Sequence, residues 1–215
     1  MVIIIKKSEL KLYANSDLFK DITDKQMQIL IASIELFSEK GYANTSTKEI
    51  AKKAGVAEGN IFSKYTNKRG LLDAIITPVI KSILPSAMQD LLDESMNPSN
   101  LTLDSLIRPL LKNRVIFLQE NAKVLKIFIS ELLYDKSVVT QLLENAPAPY
   151  WAAINTTIDA LKEKKLIVNW DNLEIFKVIW SIIGGVVLGY LLFDQPLTKE
   201  STDHSTDALI NALSI

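Results

Sequence analysis

The basic side chains between Lys48 and Arg69 are the residues whose types and spacing point most directly to chemistry. Six cations and two anions give this stretch a net charge of +4, whereas the whole 215-residue chain carries −1. Such a local patch is typical of a confined contact with nucleic acid, because ammonium and guanidinium groups bind phosphate oxygens. A solvated helix face is the alternative that charge alone leaves open. The six cations are Lys48, Lys52, Lys53, Lys64, Lys68 and Arg69.

Two short helices around a glycine turn must position this patch. Ser46 is a good N-cap, and Glu49 three residues later completes a capping box for a helix of about two turns. Gly55 falls where that helix must stop, since a left-handed C-cap costs little for glycine. A second helix then ends at Tyr65, and the small residues Ala51 and Gly55 let the two helices cross closely. The stretch therefore predicts a helix-turn-helix.

A helix on each side of this motif completes the predicted N-terminal domain. Thr23 and Gln26 form a capping box ahead of an apolar stripe that ends at Gly41. On the other side, Asn67 caps a helix whose apolar pattern contains Pro78, and proline removes an i→i−4 hydrogen bond. We expect the first helix to be the platform of the motif, and the last one to kink or end at its proline.

Composition excludes several kinds of site. The chain has no cysteine, and its single histidine is His204, so disulfides and metal sites built from thiolates or several imidazoles are ruled out. No glycine-rich phosphate loop or nucleophile elbow occurs, and neither an enzyme nor a cofactor is predicted. The apolar run 179–193 has 15 residues, fewer than the roughly 20 of a bilayer span. These features favour a soluble, cytoplasmic protein without a membrane helix.

Apolar residues recur at helical spacing in the rest of the chain, which predicts an all-α protein. Turn residues predict a loop at 97–100 and a stiff turn at 146–149. The helix 173–193 is apolar nearly all round and must be buried nearly all round. Packing one side in the monomer and the other against a second copy meets this need and predicts a homodimer. The predicted helices are 103–118, 124–133, 135–143, 150–167, 173–193 and 208–213, and the interface candidates are Ile179, Ile183, Val186, Val187 and Tyr190.

The run of about 45 residues from Ile29 to Leu72 resembles the N-terminal region of the TetR (tetracycline-repressor-like) family of bacterial transcriptional regulators. The resemblance lies in the end of the first helix, the start of the second, the turn and the third helix. It implies a three-helix DNA-binding domain followed by a helical domain for ligand binding and dimerisation. The matching segments are Leu36-Phe37, Gly41-Tyr42, Thr45-Ser46, Ile50-Ala51, Ala54-Gly55-Val56, Gly59-Asn60-Ile61-Phe62, Tyr65, Lys68 and Leu71-Leu72.

The resemblance also implies a role for residues at the matching positions. Two of them depart from the family pattern: Phe62 stands where a hydroxyl donor is common, and Glu58 brings a negative charge to the edge of the groove. That carboxylate either accepts from cytosine, turns away, or is a solvated residue favoured at a helix N-terminus. The implied phosphate contacts are Thr47, Lys48, Tyr65 and Lys68, and the implied base contacts are Glu58, Gly59, Asn60 and Lys64.

For the remainder, the resemblance implies a small-molecule pocket and a repressor that leaves double-stranded DNA when a mostly hydrophobic effector binds. The residues that could line such a pocket are aromatic residues at helical spacing, which usually belong to a plain helical core. A regulator controlled by a protein partner is the alternative function. The expected division is an extension of unknown role at 1–20, a DNA-binding domain at 21–70 and an effector and dimerisation domain at 71–215. The pocket candidates are Arg114, Phe117, Phe128, Tyr150, Trp151, Asn155, Phe176 and Trp180.

Overall fold

The computed structural model describes Tyr13 and residues 22–85, 102–145 and 148–215, with residues 148 and 149 described by their backbone alone. These residues form ten α-helices and no strand, so the all-α prediction is confirmed. A π-helical turn, Val79–Ile83, directly continues α4. The helices are α1 Asp24–Lys40, α2 Thr47–Ala54, α3 Gly59–Tyr65, α4 Lys68–Pro78, α5 Leu103–Glu120, α6 Ala122–Tyr134, α7 Lys136–Asn145, α8 Ala148–Glu163, α9 Asn172–Phe193 and α10 Lys199–Leu213.

The described residues divide into two compact units, here named the head unit and the body unit. The head unit contains Tyr13, residues 22–85 and residues 121–145, and therefore includes α6 and α7. The body unit contains residues 102–120 and 148–215. The predicted functional division at residues 20 and 70 stays a proposal, since the compact units are drawn by packing and not by function.

Local signals in the head unit place its helix ends as predicted. Thr23 and Gln26 form the capping box of α1, and Ser46 forms that of α2 with the residue three positions on. Gly55 ends α2 in the left-handed conformation, at φ 68° and ψ 32°. The Asn67 side chain accepts the Gly70 N–H at the start of α4. These predictions are confirmed because each depends on hydrogen bonds within a few residues.

The core of the head unit is built around α1. Ile29, Leu30 and Ile34 on this helix are fully buried, and they pack with apolar residues of α2, α3, α4 and α6. Val138 of α7 also lies in this core. The helix-turn-helix thus packs on a continuous apolar core that also includes residues of α6 and α7, which lie outside the predicted N-terminal domain.

Pro78 ends the regular α-helical hydrogen bonding of α4, but the chain does not leave the helix there. The Val79 N–H donates to Ile76 O, and the next turn is π-helical, with the Leu84 N–H donating to Val79 O. Proline has no N–H to continue the i→i−4 pattern, and a π turn absorbs that irregularity.

The hydroxyl of Tyr13 reaches this same stretch of α4. It donates to Ile75 O at 3.0 Å, the carbonyl that Val79 would use in a regular α-helix. The Tyr13 side chain is fully buried, and burial raises the pKa of its phenol. Tyr13 is the described residue of the predicted extension 1–20, and it belongs to the head core. The predicted loop 97–100 lies outside the described residues.

The start and end of α8 differ from the sequence prediction. Ala148 and Pro149, predicted to be in a stiff turn with the undescribed 146 and 147, form the first turn of α8. Proline is tolerated there because the N–H groups of a first turn have no partner within the helix. The helix ends at Glu163 and not at 167, since Lys165 adopts φ 53° and the Leu166 N–H donates to Leu161 O. This is a Schellman ending with lysine where glycine is usual, so no sequence signal marked it.

The last helix also begins earlier than predicted. The sequence predicts a helix at 208–213, but α10 runs over Lys199–Leu213. The cap is Thr198, whose side chain accepts the Ser201 N–H, while the Ser201 side chain accepts the Thr198 N–H. Serine in the third position replaced the glutamate or glutamine that a capping box usually contains. Without a glutamate or glutamine at that position, the polar residues at the start of α10 do not predict a helix.

The body core is formed by α5, α8, α9 and α10. It has fewer fully buried residues than the head core, and α9 contributes mainly partly buried ones. Of the described helices, α9 alone has the length and mean hydropathy, 2.0, of a membrane span, and 17% of that apolar window is buried. One such helix is weak evidence for a membrane. The prediction that one side packs in the monomer fits this partial burial. The buried residues of the body core are Leu103, Ile107, Leu111, Ile158, Leu161, Ile167, Ile175, Leu209 and Leu213.

Candidate nucleic-acid interface

Close backbone contact fixes the recognition helix α3 at its far end. A side chain at Gly70 would collide with the carbonyl oxygen of Tyr65, so the start of α4 can cross the end of α3 only with glycine there. Thr66 between them has a positive φ of 65°. At the near end, a side chain added at Gly59 would meet open space. The two glycines therefore differ: one is required by packing, and the other leaves the helix surface bare.

Three of the six clustered cations are engaged in contacts within the head unit. The Lys53 ammonium lies 2.9 Å from Glu35 of α1. Arg69 bridges Asp73 at 2.8 Å and Asp135 at 2.6 Å, which links α4 to the start of α7. These partners are at least partly exposed, so the pairs orient the helices more than they stabilise them.

Lys68 is the third engaged cation. Its ammonium donates to the carbonyl oxygens of Tyr42 at 2.9 Å, Ala43 at 3.3 Å and Thr45 at 2.9 Å, and lies 4.4 Å from the centre of the Tyr42 ring. All three donor positions of an ammonium are therefore used in tying α4 to the α1–α2 loop. The implied phosphate contact of Lys68 stays a prediction, and it would require exchanging one of these bonds.

Lys48, Lys52 and Lys64 form the exposed part of the patch. Lys48 and Lys52 lie on α2 and Lys64 lies on α3, and none has an ion pair within the described part of the chain. An ammonium group that stays in water can exchange its hydration and counterions for a phosphate at little cost. The positive charge available to a ligand is thus confined to the outer faces of the two motif helices.

Tyr65 is a core residue of the head unit more than a surface one. It is 8% exposed, and its hydroxyl donates to Gln26 O at a long 3.5 Å. Burial raises the pKa of Tyr65 to about 12, so the hydroxyl keeps its proton and stays a donor. The residue therefore ties the end of α3 to the first turn of α1, and its implied phosphate contact stays a prediction.

Two carboxylates meet the start of α2. Glu49 accepts from the Ser46 N–H and hydroxyl at 2.9 Å each and pairs with Lys40 at 2.7 Å. These contacts, that of Lys40 first, lower the pKa of Glu49 to about 2. Glu58, just before α3, accepts a hydrogen bond of 2.6 Å from the Thr47 hydroxyl. Glu58 thus turns back toward α2, one of the alternatives that the sequence left open.

The remaining predicted contact positions lie on the first turn of α3. Gly59 is exposed and Asn60 is half-buried, while Phe62, one of the two departures from the family pattern, presents a ring that is 46% exposed. Together with Lys64 these residues form an outward surface on one short helix. Its dimensions and chemistry suit the major groove of B-DNA, where amide and ammonium groups read base edges.

The comparisons with known proteins agree with this motif. The family model of the bacterial regulatory proteins of the tetR family matches residues 29–75. YvkB, an uncharacterized HTH-type transcriptional regulator of Bacillus subtilis (strain 168), is 28% identical over 195 residues, which cover 87% of this chain and 96% of YvkB. Residues 29–75 therefore carry the DNA-binding domain of the TetR family. TetR-family regulators bind DNA, act as dimers and are normally not enzymes, and this chain is a DNA-binding transcriptional regulator.

Other proteins are similar to parts of this chain in sequence or to most of it in fold. The fatty acid metabolism regulator protein of Bacillus subtilis is 30% identical over 79 residues, covering 37% of this chain and 41% of that protein. A TetR-family regulator from Pseudomonas syringae pv. tomato matches in structure with a TM-score of 0.62 and 15% identity, over 89% of this chain and 96% of that one. One from Haemophilus influenzae matches with 0.54 and 20% identity, over 89% and 97%. At such identities the solved structures show the fold alone.

In the body unit, four of the predicted pocket residues come together. Trp151 contacts both Tyr150 and Phe176 edge-on, with ring centroids 5.5 and 5.2 Å apart, and Phe176 stacks on Trp180 at 6.3 Å. This aromatic cluster joins α8 to α9. Trp151 is 40% exposed and Trp180 is 62% exposed, so one side of the cluster faces outward.

The other pocket candidates are divided among three places. Arg114 lies 5.7 Å from the centre of the Phe117 ring, and it partly offsets the rise that burial causes in the pKa of Tyr150. Asn155 is exposed and accepts from the Asn172 side chain at 3.1 Å. Phe128 is 3% exposed and lies in the head core, so the body does not bring it together with the aromatic cluster.

The predicted interface residues of α9 fall into two groups. Ile179 and Ile183 are partly buried against the body core, so the monomer already covers part of each. Val186 and Tyr190 line a cleft of about 290 Å³ that extends to Gln195 and the first turns of α10. Val187 is half-buried. Their role between subunits stays a prediction.

Sequence reasoning missed the contacts that join distant positions in the head unit. The Thr47–Glu58 bond, the carbonyl contacts of Lys68 and the Arg69–Asp135 pair join residues 11 to 66 positions apart. No periodicity or cap connects such residues. The signal that came nearest was the family pattern, which marked several of these positions without saying what they touch in the free protein.

Proposed function

We propose that the protein is a homodimeric repressor that binds double-stranded operator DNA through α2 and α3, in the cytoplasm and without a membrane. The observation that carries this proposal is the set of exposed lysines on the helix-turn-helix, Lys48, Lys52 and Lys64. In the proposed complex, Lys48 and Thr47 contact phosphates at the start of α2. A dimer would present two recognition helices to successive major grooves, about 34 Å apart.

The proposed base contacts use the bare surface of α3. Asn60 would pair with adenine through its amide, Lys64 would donate to guanine, and Gly59 would permit close approach of the backbone. Tyr65 and Lys68 would contact phosphates at the rear of the motif. Both already hold the head together, and we therefore expect their substitution to affect stability as well as DNA binding.

Selection of bound sequences from a random duplex library tests the DNA-binding part. We expect the full chain to select a near-palindrome, and Asn60→Ala with Lys64→Ala to lose the selected bases. Lys48→Ala should weaken binding to all sequences and reduce the salt slope by about one. Lys112→Ala, an exposed lysine of the body, is the matched control and should change neither. If the double variant kept the same sequence preference, the proposal that these α3 residues read the bases would be wrong.

The dimer is proposed to form on α9 and α10. The part of α9 left uncovered in one chain includes Leu173 and Trp180, and apolar exposure on this scale is characteristic of an association surface. We expect Val187→Asp to yield monomers in sedimentation and to lose operator binding. Leu143→Asp, at a 66% exposed leucine of α7, is the control and should leave a dimer. A dimer retained by Val187→Asp would place the interface elsewhere.

The effector is proposed to be small and mostly hydrophobic and to bind beside the aromatic cluster. Support comes from the ring contacts of Trp151 and Phe176, from nearby Arg114, and from a relative whose name is fatty acid metabolism regulator protein. Binding must favour head positions that do not fit DNA, since a ligand indifferent to both states shifts nothing. Native mass spectrometry of protein purified from cells should detect a bound apolar molecule that Trp151→Ala loses. Its addition should release selected DNA.

The outward exposure of Trp151 and Trp180 favours a second candidate, control by a protein partner in place of a small molecule. The two candidates differ in one measurement. Protein purified from cells and then denatured should release a small apolar molecule under the first proposal. A co-purifying protein that dissociates selected DNA, with no such molecule, would favour the second.

A further inference from the structure

The hydroxyl of Thr47 is already used in the free protein. It donates to Glu58 at 2.6 Å, across the turn that separates α2 from α3, and both residues are partly buried. Glu58 caps neither helix with its side chain, since no such bond is made at the start of α3. Its carboxylate therefore has one evident function in the fold, which is to accept from Thr47.

That bond competes with the contact proposed for Thr47 in the DNA complex. A hydroxyl has one proton, so it cannot donate to a phosphate and to Glu58 at the same time. A carboxylate next to the hydroxyl also repels an approaching phosphate, because like charges brought together in an interface weaken binding. Neighbouring Glu49 is held by Lys40 and by Ser46, whereas Glu58 has the single partner given above among the described contacts.

We infer that Glu58 is a specificity-determining residue, which makes phosphate binding by Thr47 conditional on the base that faces the start of α3. A cytosine amino group at that position gives the carboxylate a new donor and releases the Thr47 hydroxyl to a phosphate. Any base without a donor there leaves the carboxylate bonded to Thr47, so the phosphate contact of Thr47 is not made. This inference rests on the proposed DNA-binding function and assigns Glu58 the rejection of wrong sequences.

Glu58→Gln tests the inference because glutamine keeps an acceptor for Thr47 and removes the charge. We expect the variant to bind the unselected random duplex library about tenfold tighter than wild type, and to lose its cytosine preference at one position per half-site. Glu39→Gln removes the same charge from an exposed position of α1 and should change neither value. Adding Thr47→Val to Glu58→Gln should leave only the part of the gain that comes from the lost charge, because glutamine accepts from Thr47 more weakly than a carboxylate and so frees the hydroxyl for a phosphate.

The outcomes separate this inference from the proposed function. If wild type selects no sequence and does not bind random duplex, the proposed function fails first. If wild type selects a motif and Glu58→Gln keeps the same motif and the same ratio of selected to random affinity, the inference is overturned and DNA binding stands. That outcome is expected if the Thr47–Glu58 bond only stabilises the fold. In that case Glu58→Ala and Thr47→Val should lose similar amounts of thermal stability, with no change in the ratio of selected to random affinity.

Discussion

Two aromatic residues of the head unit are buried, whereas two rings of the body unit's aromatic cluster stay exposed. In the head, Phe128 and Tyr13 are 3% and 0% exposed, and the second has its hydroxyl bonded. In the body, Trp151 and Trp180 both contact the Phe176 ring but remain 40% and 62% exposed. A ring that is buried contributes to the stability of one chain, whereas a ring that stays exposed contributes once something covers it.

The difference agrees with the functions that we propose for the two units. The head must hold α3 in one orientation, and its caps, ion pairs and core all act within one chain. We propose that the body associates with a second copy and with an effector. Its long helix α9 is consequently apolar but mostly uncovered in the monomer.

Truncating one ring in each unit is the strongest test of this comparison. Phe128→Ala should lower the free energy of unfolding by about 3–5 kcal/mol, since it leaves a cavity in a closed core. Trp180→Ala should cost less than about 1 kcal/mol when measured at concentrations where the chain is monomeric. Urea denaturation followed by circular dichroism measures both. Equal losses would mean that the body ring is as much a core residue as the head ring.

A pair of glycines sharpens the comparison within the head itself. Gly70→Ala should lower the free energy of unfolding by about 2–4 kcal/mol, because the new carbon would collide with the Tyr65 carbonyl. Gly59→Ala meets open space and should leave the midpoint unchanged or slightly higher, yet weaken binding to selected DNA. Thermal denaturation and a binding titration of the same samples separate the two effects. Loss of stability in Gly59→Ala would contradict the bare surface assigned to α3.

The N-terminal tyrosine tests how far the head core extends along the chain. Tyr13→Phe should cost about 1–2 kcal/mol, since it leaves the buried Ile75 carbonyl without this donor beside the π turn. Tyr134→Phe, at an 89% exposed tyrosine, is the matched control and should be neutral. Chemical denaturation of the full chain gives both values. A neutral Tyr13→Phe would show that the hydroxyl is satisfied equally well by water.

Acid should weaken the head through carboxylates that are ionised in the fold. The pKa of Glu49 is lowered from 4.5 to about 2, so the stability it contributes is present above pH 4.5 and is lost as the pH falls toward 2. The same sign holds for Asp135. Its hydrogen bonds with Ser137 and then with Arg69 lower the pKa of Asp135 to about 2. Glu49→Gln should flatten this part of the stability profile, and Glu39→Gln should not. An identical profile in both variants would exclude Glu49 as the titrating group.

The parts of the head that sequence alone predicted are those decided by neighbours along the chain. The boundaries of α1 and α2 follow from capping boxes at Thr23 and Ser46 and from the left-handed Gly55, and α4 begins at its cap Asn67. These positions were predicted nearly to the residue. The end of α8 was missed because Lys165 takes the conformation that usually marks a glycine. The start of α10 was missed because a serine completes its capping box.

The candidate site was predictable as a set of positions but not as a set of contacts. Sequence reasoning selected Thr47, Glu58 and Lys68 as DNA contacts, and it could not see that the first two bond to each other and that the third is held by three carbonyls. Of the basic patch, the structure leaves Lys48, Lys52 and Lys64 as the part that faces solvent without an ion pair among the described residues. Net charge in a window cannot make that division, because it counts paired and unpaired charges alike.

The sequence by itself therefore determined the helical class, the helix-turn-helix and its caps, since each depends on hydrogen bonds and periodicity within about a dozen residues. The family was indicated by the resemblance of the run from Ile29 to Leu72. Tertiary structure alone decided which cations stay available, that Glu58 turns toward α2, and that α6, α7 and Tyr13 complete the head. These outcomes depend on residues far apart in the chain, whose proximity comes from burying apolar surface. No local pattern encodes that proximity.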